Sequence, residues 1–214
     1  MICQHLKAVH KRRKQYLSSK KQQLLFYEYI PSLTAKDDES NKHKPIMICD
    51  YSAYKDFCAS YALDVSPTIS YRFSRGHLFF CFANENDVIA YGWLASKDLF
   101  WISEIDMVVD LDKSSASFLF DFYTNPVYRG KGWYGKLLQS IMNFFDFRIE
   151  KYIIYVKKEN TASINGILKA GFLYSGSYCW SSLSTNAYLT SLGCSCRGTN
   201  YKLFGFKYIN KDLV

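Results

Sequence analysis

The sequence predicts a mixed α/β domain in which one sheet is flanked by helices, and not a regular array of βαβ units. The first observation is the element order, because several strand-like segments follow one another before the main helix. The second is the composition: 18 Tyr and 16 Phe favour strands, and only 4 Pro and 11 Gly interrupt the 214 residues. With 49% hydrophobic residues, the chain has enough apolar side chains for a packed core.

The first half of the chain is predicted to form a strand, a helix and three further strands. Residues 24–30, "LLFYEYI", are the first strand, and residues 34–44 form a charged loop. Residues 50–64 carry aromatic side chains at helical spacing, which predicts a helix. The turn sequence "ANEND" then indicates a hairpin or meander within the next strands. Those strands are predicted at residues 77–83, 88–95 and 99–109.

Strands and helices alternate in the second half of the chain. The helix predicted at residues 132–147 has one apolar face, and the strand at 151–158 is rich in β-branched and aromatic residues. Gly171 is well placed to end the following helix. Two tail segments, "FLYSGSYCW" and "NYKLFGFKYI", are predicted as strands. The full series is a strand at 117–124, a helix at 132–147, a strand at 151–158 and a helix at 161–170.

The net charge of +8 is concentrated at the amino terminus. Residues 1–21 hold seven Lys and Arg and no acid, so the remaining residues carry 20 basic against 19 acidic side chains. We therefore predict a basic helix or arm over residues 1–23 and a single domain over residues 24–214. Such an arm is suited to an anionic surface, either lipid or nucleic acid, and a solvated helix is the alternative.

The seven cysteines are scattered and odd in number, and no signal peptide is recognised at the start. This predicts free thiols in a cytoplasmic protein. Cys194 and Cys196 form a C-x-C without a nearby histidine, so no metal site is expected. The apolar runs are shorter than the roughly 20 residues that a membrane span needs.

The stretch "DFYTNPVYRGKGWYGKLLQSIMNFF" matches two nucleotide-binding patterns incompletely. A P-loop needs Ser or Thr after its lysine, but Leu137 follows Lys136. A Rossmann site needs its glycines directly after a strand and an acid at the end of the next strand. Here Pro126 lies in a separate turn, and the next strand ends in Lys157 and Lys158.

A third interpretation keeps a phosphate ligand and uses the backbone of this turn. Small residues allow the amides of residues 131–135 to point into one concavity, and the following helix adds its positive amino-terminal end. Arg129 and Lys131 add charge at the rim. This arrangement suits a pyrophosphate.

Two motifs in this region resemble those of the GNAT acetyltransferase superfamily. "PVYRGKGWYGKLL" resembles its acyl-CoA signature, Arg/Gln-x-x-Gly-x-Gly/Ala, with Arg129 and Gly132 matching. Tyr134 stands where the last small residue is usual, and Gly135 follows one place later. "NTASINGILKAGF" resembles the later Asn-x-x-Ser … Lys-x-Gly-Phe segment, and "DVIAYGWLA" resembles a preceding hairpin strand. The subtype with "DFYT-x-P-x-YRG-x-G-x-Y", some of whose members accompany surface-polysaccharide genes, is the most similar.

The resemblance implies the fold, the donor and the cofactor contacts. The fold would be a largely antiparallel twisted sheet of six to seven strands, flanked by helices and splayed between its fourth and fifth strands. Acetyl-CoA would be the acyl donor, lying in that gap, which the resemblance places between "FDFYT" and "YIIYVKK", and no metal would take part. The implied cofactor-binding residues are Phe122, Tyr123, Thr124, Arg129, Gly130, Lys131, Gly132, Trp133, Tyr134, Gly135 and Asn160.

The implied reaction is direct attack of an amine or hydroxyl acceptor on the thioester. An ammonium acceptor must first lose a proton, so a base is needed. Asp121 is the first candidate and Glu104 the second, with a carboxylate held by a neighbouring Tyr or Lys as the alternative for Asp121. Many family members protonate the thiolate with a tyrosine on the later helix, but the corresponding residue here is Ile167. Tyr174, another tyrosine or water is expected to replace it.

The acceptor is not encoded in any motif. We predict a small-molecule amine such as an amino sugar or a glycan precursor, with protein N-acetylation as the alternative. A non-catalytic module that binds acyl-CoA or nucleic acid is the rival from another class, and a homodimer is one expected assembly. Aromatic residues that could line an acceptor pocket or belong to the core are Phe79, Phe80, Phe82, Tyr91, Trp93, Trp101 and Tyr123.

Overall fold

The computed structural model describes residues 21–31, 44–66, 69–104, 107–113, 116–145 and 149–181, with the strand residues 188–189, 202–203 and 206–209. The helices are α1 (Tyr51–Ser60), α2 (Ile69–Ser74), α3 (Trp133–Phe145) and α4 (Thr161–Lys169), with a 3-10 turn at Pro126–Tyr128. The strands are β1 (Lys21–Tyr29), β2 (Ile46–Ile48), β3 (Leu78–Ala83), β4 (Val88–Ala95), β5 (Leu99–Ile102), β6 (Met107–Asp110), β7 (Ala116–Thr124), β8 (Lys151–Lys157), β9 (Leu173–Ser181), β10 (Tyr188–Leu189), β11 (Lys202–Leu203) and β12 (Phe206–Ile209).

The main sheet of the described chain has eight strands in the order β10-β9-β1-β8-β7-β4-β3-β2. Its neighbours pair antiparallel, except β7 and β8, which are parallel. A second sheet has the order β11-β12-β6-β5. The predicted mixed and largely antiparallel fold is confirmed, with more strands than expected. The additional edge strands β2 and β10 are only three and two residues long, too short to produce a sequence pattern.

Each face of the main sheet is covered by its own layer. The front layer, as we name it, contains α1, α2 and the β5–β6 hairpin, whose side chains pack with Phe79, Trp93 and Phe118. The back layer contains α3 and α4, which pack on Leu119, Ile154 and other side chains of the opposite face. Alternation along the strands therefore divides the aromatic and aliphatic residues into two cores.

A β-bulge changes the alternation of β7 at the middle of the sheet. The register between β4 and β7 shifts between Tyr91 and Trp93, and Asp121 adopts a positive φ of 51°. Because a bulge inserts one residue, Phe120 and Asp121 both face the front layer, and Phe122 packs in the back layer.

β7 and β8 separate just where the bulge lies. Their pairing covers residues 116–119 of β7 and residues 151–154 of β8. Beyond it, residues 120–124 and 155–157 diverge, while β7 stays paired with β4 and β8 with β1. This is the gap that the resemblance implied between "FDFYT" and "YIIYVKK".

Three predicted boundaries are wrong. Residues 99–109 form the hairpin β5–β6 and not one strand, because they turn at Ser103 and Glu104 without the Gly, Pro or Asn that would indicate a turn. The helix predicted at 50–64 ends at Ser60. Residues 21–23 belong to β1, paired with β9, and not to the basic arm. The six-residue helix α2 was not predicted, since it is too short for a periodic pattern.

Other sequence features fall within the described residues only in part. The arm at residues 1–20 and the pair Cys194 and Cys196 lie outside them. Cys49, Cys58 and Cys81 are free thiols. Gly171, with a φ of 95°, follows the C-cap of α4 as predicted. None of the described helices has the length and apolar character to cross a membrane.

Candidate active site

A cavity of about 980 Å³ passes through the sheet at the gap between β7 and β8. Its back part is lined by Phe122, Tyr134, Asn160 and Ser163, and its middle by residues of β8 such as Ile154. Its front part is lined by side chains from α2, the β5–β6 hairpin and the two diverging strands. These include Arg72, His77, Trp101, Glu104, Asp121 and Tyr155.

The glycine loop (residues 129–132) connects β7 to α3, two elements whose residues Phe122 and Tyr134 line the back part of the cavity. Arg129 Nε donates a hydrogen bond to the carbonyl oxygen of Thr124 at 3.0 Å, which ties the loop to the end of β7. Gly130 and Gly132 have φ values of 76° and 80°, a region that favours glycine. A Cβ at either position would meet no atom within 4 Å, so the loop faces open space.

The start of α3 presents backbone amides to that open space. The first helical hydrogen bond runs from the amide of Lys136 to the carbonyl oxygen of Gly132, at 3.0 Å. The amides before Lys136 are therefore outside the helical ladder, as the first turn of any helix requires. These amides and the positive end of the helix fit a diphosphate, such as that of coenzyme A.

Tyr134 occupies the place where the resembling family has a small residue. Its ring meets the edge of Phe122 at 5.5 Å between centroids. Two glycines make room for these rings. A Cβ on Gly166 would lie 2.4 Å from Tyr134 Cδ1, and one on Gly92 would lie 2.2 Å from Phe122 Cε1. The large residue Tyr134 in the motif is thus accommodated by glycines in neighbouring elements. Its side chain forms one wall of the cavity.

Asn160 has two relations to the site. Its Oδ1 accepts a hydrogen bond from the backbone amide of Ser163 at 3.1 Å and thereby caps α4. Its side chain also lines the cavity, so the amide NH₂ group can donate to a ligand. Ser163 belongs to the first turn of this helix and also lines the cavity.

Asp121 is held by an arginine that the sequence did not connect with it. Arg72 Nη1 lies 2.5 Å from Asp121 Oδ2. The guanidinium also lies over the rings of Trp93 and Phe120, at 4.9 and 5.1 Å from their centroids. The expected alternative of a Tyr or Lys partner is replaced by an arginine from α2.

Glu104 lies at the turn of the β5–β6 hairpin and faces the same cavity. Its Oε2 accepts a hydrogen bond from Ser103 Oγ at 3.1 Å. Within the described residues, it forms no ion pair with a Lys, Arg or His. A carboxylate without a cationic partner is available to bind a cationic group of a ligand.

Tyr155 lies on β8 opposite Asp121, and sequence analysis missed it because its segment reads as an ordinary buried strand. Burial, the negative charges of Glu104 and Asp121, and a hydrogen bond with Glu104 raise the pKa of Tyr155 far above its usual value. Its hydroxyl therefore stays protonated at neutral pH and can donate a hydrogen bond.

The structure separates several predicted residues from the cavity. Tyr174 is 54% exposed on β9 and packs edge-on against Tyr27 at 5.7 Å, and it does not line the cavity. Ile167 is buried in the back layer. Tyr123 stacks on Tyr91 with ring centroids 5.3 Å apart, and its side chain does not line the cavity. Of the aromatic residues proposed for an acceptor pocket, Trp101 lines the cavity.

Titratable groups do not assemble into a metal site in the described part of the chain. There, no group of three or more His, Cys, Asp and Glu side chains is arranged to hold an ion.

Residues 45–172 match the family model described as the acetyltransferase (GNAT) family. The chain belongs to the GNAT acetyltransferase family. The match covers more than half of the 214 residues and contains the bulge, the glycine loop, the gap and α4. The GNAT family assignment supports acyl transfer as the general class of reaction.

Solved structures similar to this GNAT chain include three bacterial proteins. A putative GNAT acetyltransferase from Novosphingobium aromaticivorans is 14% identical, with a TM-score of 0.49 over 74% of this chain and 62% of that chain. A GNAT acetyltransferase from Colwellia psychrerythraea is 15% identical, with a TM-score of 0.47 over 73% of this chain and 53% of that chain. A functionally unknown protein from Staphylococcus epidermidis is 12% identical, with a TM-score of 0.49 over 79% of this chain and 64% of that chain. This chain thus spans less than two thirds of each. A search of curated proteins gives no match.

Proposed function

We propose that this protein transfers an acetyl group from acetyl-CoA to an amine acceptor by direct attack in a ternary complex. The observation that carries the proposal is the continuous cavity through the sheet. It begins at Tyr134 in the first turn of α3, which follows the glycine loop, and ends among the carboxylates of the front layer. A donor entering from the back and an acceptor entering from the front would meet at the gap, which makes the reaction effectively intramolecular.

The donor would be held mainly by backbone groups. The diphosphate would rest on the glycine loop and the start of α3, and the pantetheine arm would pass Tyr134 and Asn160. The edge of β7 at residues 122–124 faces the gap without pairing to β8, so it can bond the arm as an added strand. An amide there would stabilise the oxyanion that develops on the thioester carbonyl.

Glu104 is the base in this proposal, and Asp121 positions the site. An alkylammonium group with a pKa near 10 must release a proton before it attacks. Asp121 is already engaged by Arg72, whereas Glu104 has no basic partner among the described residues. Glu104 would take this proton and release it to solvent, and would then take the second nitrogen proton as the amine bonds to the carbonyl carbon. When the C–S bond breaks, Tyr155 would pass that second proton from Glu104 to the thiolate in one concerted transfer.

The acceptor would be a small amine entering beside two exposed aromatic residues. Tyr71 and Trp101 line the front part of the cavity and are 52% and 46% exposed. Flat aromatic surfaces at an opening are suited to small ring-shaped acceptors, which agrees with the amino sugar or glycan precursor predicted from the sequence.

Release of coenzyme A from acetyl-CoA in the presence of a panel of amines tests the proposal. We expect Glu104→Gln to lower kcat by about 10²- to 10⁴-fold, the usual contribution of a general base. Asp121→Asn should raise KM for the amine more than it lowers kcat, because it releases Arg72. Asp56→Asn, an exposed change on α1, is the matched control and should leave both constants unchanged.

Two results would contradict the proposal. Full activity of Glu104→Gln would remove the assigned base. If no amine accelerates release of coenzyme A while calorimetry still shows acetyl-CoA binding, the protein is a binding module and not an enzyme.

A further inference from the structure

The β5–β6 hairpin, which carries Glu104, belongs to the second sheet and not to the main sheet. Each of its strands has four residues, and a hairpin of two strands alone is at best marginally stable in water. Glu104 lies in the turn, beyond the last strand pair, Ile102 with Met107. The hairpin nevertheless supplies much of the front wall of the cavity, with Leu99, Phe100, Trp101, Ser103, Glu104 and Val108.

The far edge of this hairpin pairs with the C-terminal hairpin, as we name β11 and β12. β12 runs antiparallel to β6, with Tyr208 opposite Val109 and Ile209 opposite Val108. β11 pairs in turn with β12. The pairing reaches close to the turn, since Val108 comes four positions after Glu104 and itself lines the cavity.

The two sides of the cavity therefore depend on different parts of the chain. On the donor side, β7 and β8 are held within the main sheet by β4 and β1. On the acceptor side, β6 has β5 and β12 as its strand neighbours in the described part of the chain. The family match ends at residue 172, so β12 lies outside it.

We propose that the C-terminal hairpin is a positioning element of the acceptor side, which holds the turn of the β5–β6 hairpin so that Glu104 reaches the amine. The inference rests on the proposed role of Glu104 as the base, and it gives a function to a segment beyond the family match. The position of this turn matters because Glu104 also forms a hydrogen bond with Tyr155 of β8. A shift of about 1 Å in a catalytic group can lower the rate by about 10²-fold.

Hydrogen exchange of the full chain tests the pairing without any need for catalysis. Tyr208→Pro together with Ile209→Pro removes the amide donors of both paired residues. Tyr208→Ala together with Ile209→Ala keeps these donors and is the matched control. We expect the amides of β5 and β6 to exchange at least ten times faster in the Pro variant than in the Ala variant, while those of α3 and β8 keep their rates.

Amine-dependent release of coenzyme A tests the consequence for the reaction. In the Pro variant, kcat/KM for the amine should fall by about 10²-fold, because the turn that carries Glu104 is no longer fixed. The Kd for acetyl-CoA, measured by calorimetry, should stay within about twofold, because the main sheet holds the donor side. The Ala variant should remain close to the unaltered protein in both measurements.

The two measurements separate this inference from the proposed reaction. If the unaltered protein transfers no acetyl group, the reaction fails, and hydrogen exchange alone decides on the positioning element. Unchanged exchange of β5 and β6 in the Pro variant would overturn the inference, as would faster exchange with full transfer activity. Should the double variant not fold, Ile209→Pro alone repeats the test at the pair nearest the turn. Loss of acetyl-CoA binding in both would show that the C-terminal hairpin supports the whole fold, which contradicts a role limited to the acceptor side.

Discussion

Tyr155 and Glu104 come together although 51 positions separate them in the sequence. Tyr155 faces the front because residues 153 and 155 alternate with the back-facing residues of β8. It is accessible to the cavity because β7 has already diverged at this level. At the residue scale, Tyr155 and Glu104 thus meet because strand alternation turns Tyr155 to the front and because the gap between β7 and β8 leaves it accessible.

Tyr155→Phe should lower kcat by about tenfold while the Kd for acetyl-CoA is unchanged. The effect is expected to be smaller than usual for a general acid, because a thiol with a pKa of about 8.5 leaves readily. The ring remains, so its packing on Phe26 at 5.9 Å is kept.

Tyr61→Phe is the matched control for this prediction. It also removes one hydroxyl, which donates to the carbonyl oxygen of Asn84 at 2.9 Å outside the cavity. Equal turnover in the two variants would exclude Tyr155 from the chemistry.

At the element scale, α3 and α4 approach each other through a glycine. Gly166 of α4 leaves the space that the Tyr134 ring fills, and this ring is bounded on its other side by Phe122. A side chain added at Gly166 would therefore push the ring towards the cavity.

Gly166→Ala should destabilise the protein and weaken acetyl-CoA binding. Alanine gains up to about 1 kcal/mol of helix propensity, but overpacking costs roughly 1–3 kcal/mol, and the clash with Tyr134 is direct. Urea unfolding and calorimetry with acetyl-CoA measure the two effects.

Gly135→Ala is the control for the change in stability of Gly166→Ala, because a Cβ there would lie 4.0 Å from its nearest neighbour, Gly166 O. It should be neutral or slightly stabilising. Adding Tyr134→Ala to Gly166→Ala should restore acetyl-CoA binding. A Gly166→Ala protein that is as stable as Gly135→Ala and binds acetyl-CoA as tightly as the unaltered protein would refute the role of this contact.

For the whole molecule, the front layer accounts for much of the aromatic composition. Tyr54 and Phe79, Phe73 and Trp93, and Phe79 and Trp93 have ring centroids 5.1, 5.2 and 5.1 Å apart. Edge-to-face pairs at such distances add to the area they bury. His77 adjoins this layer through Phe120, so its protonation should affect the stability of the whole fold.

The free energy of unfolding should decrease as the pH drops from 6.5 to 4, and the protonation of His77 in the unfolded chain should contribute to this decrease. The unfolded chain binds a proton at a pKa near 6.5, whereas burial in the folded state lowers the pKa of His77 to about 4. Between these values the unfolded state holds more protons, so stability decreases with falling pH, by on the order of 3 kcal/mol at pH 4.

Urea unfolding of the unaltered protein and of His77→Phe across this pH range checks the prediction. Carboxylates contribute to both proteins alike, so the difference between the two curves isolates His77. Parallel curves would show that the histidine is not buried as a neutral ring.

The sequence by itself determined the local features of the site. Short-range patterns encode the glycine spacing of Gly130 and Gly132, the nearby Arg129 and the cap residue Asn160. The backbone conformations that such patterns favour depend on neighbours in the chain. The strands and helices with strong periodicity were predicted for the same reason. Both predicted acids, Asp121 and Glu104, also line the cavity.

Only the tertiary structure decided which side chains meet. Arg72 lies on a helix too short to predict, and it reaches Asp121 because a bulge turns that residue to the front. Tyr155 enters the site, and Tyr174 does not, because strand order and the divergence of β7 and β8 decide which edge is open. Such contacts join residues far apart in the chain, and local propensity carries no information about them.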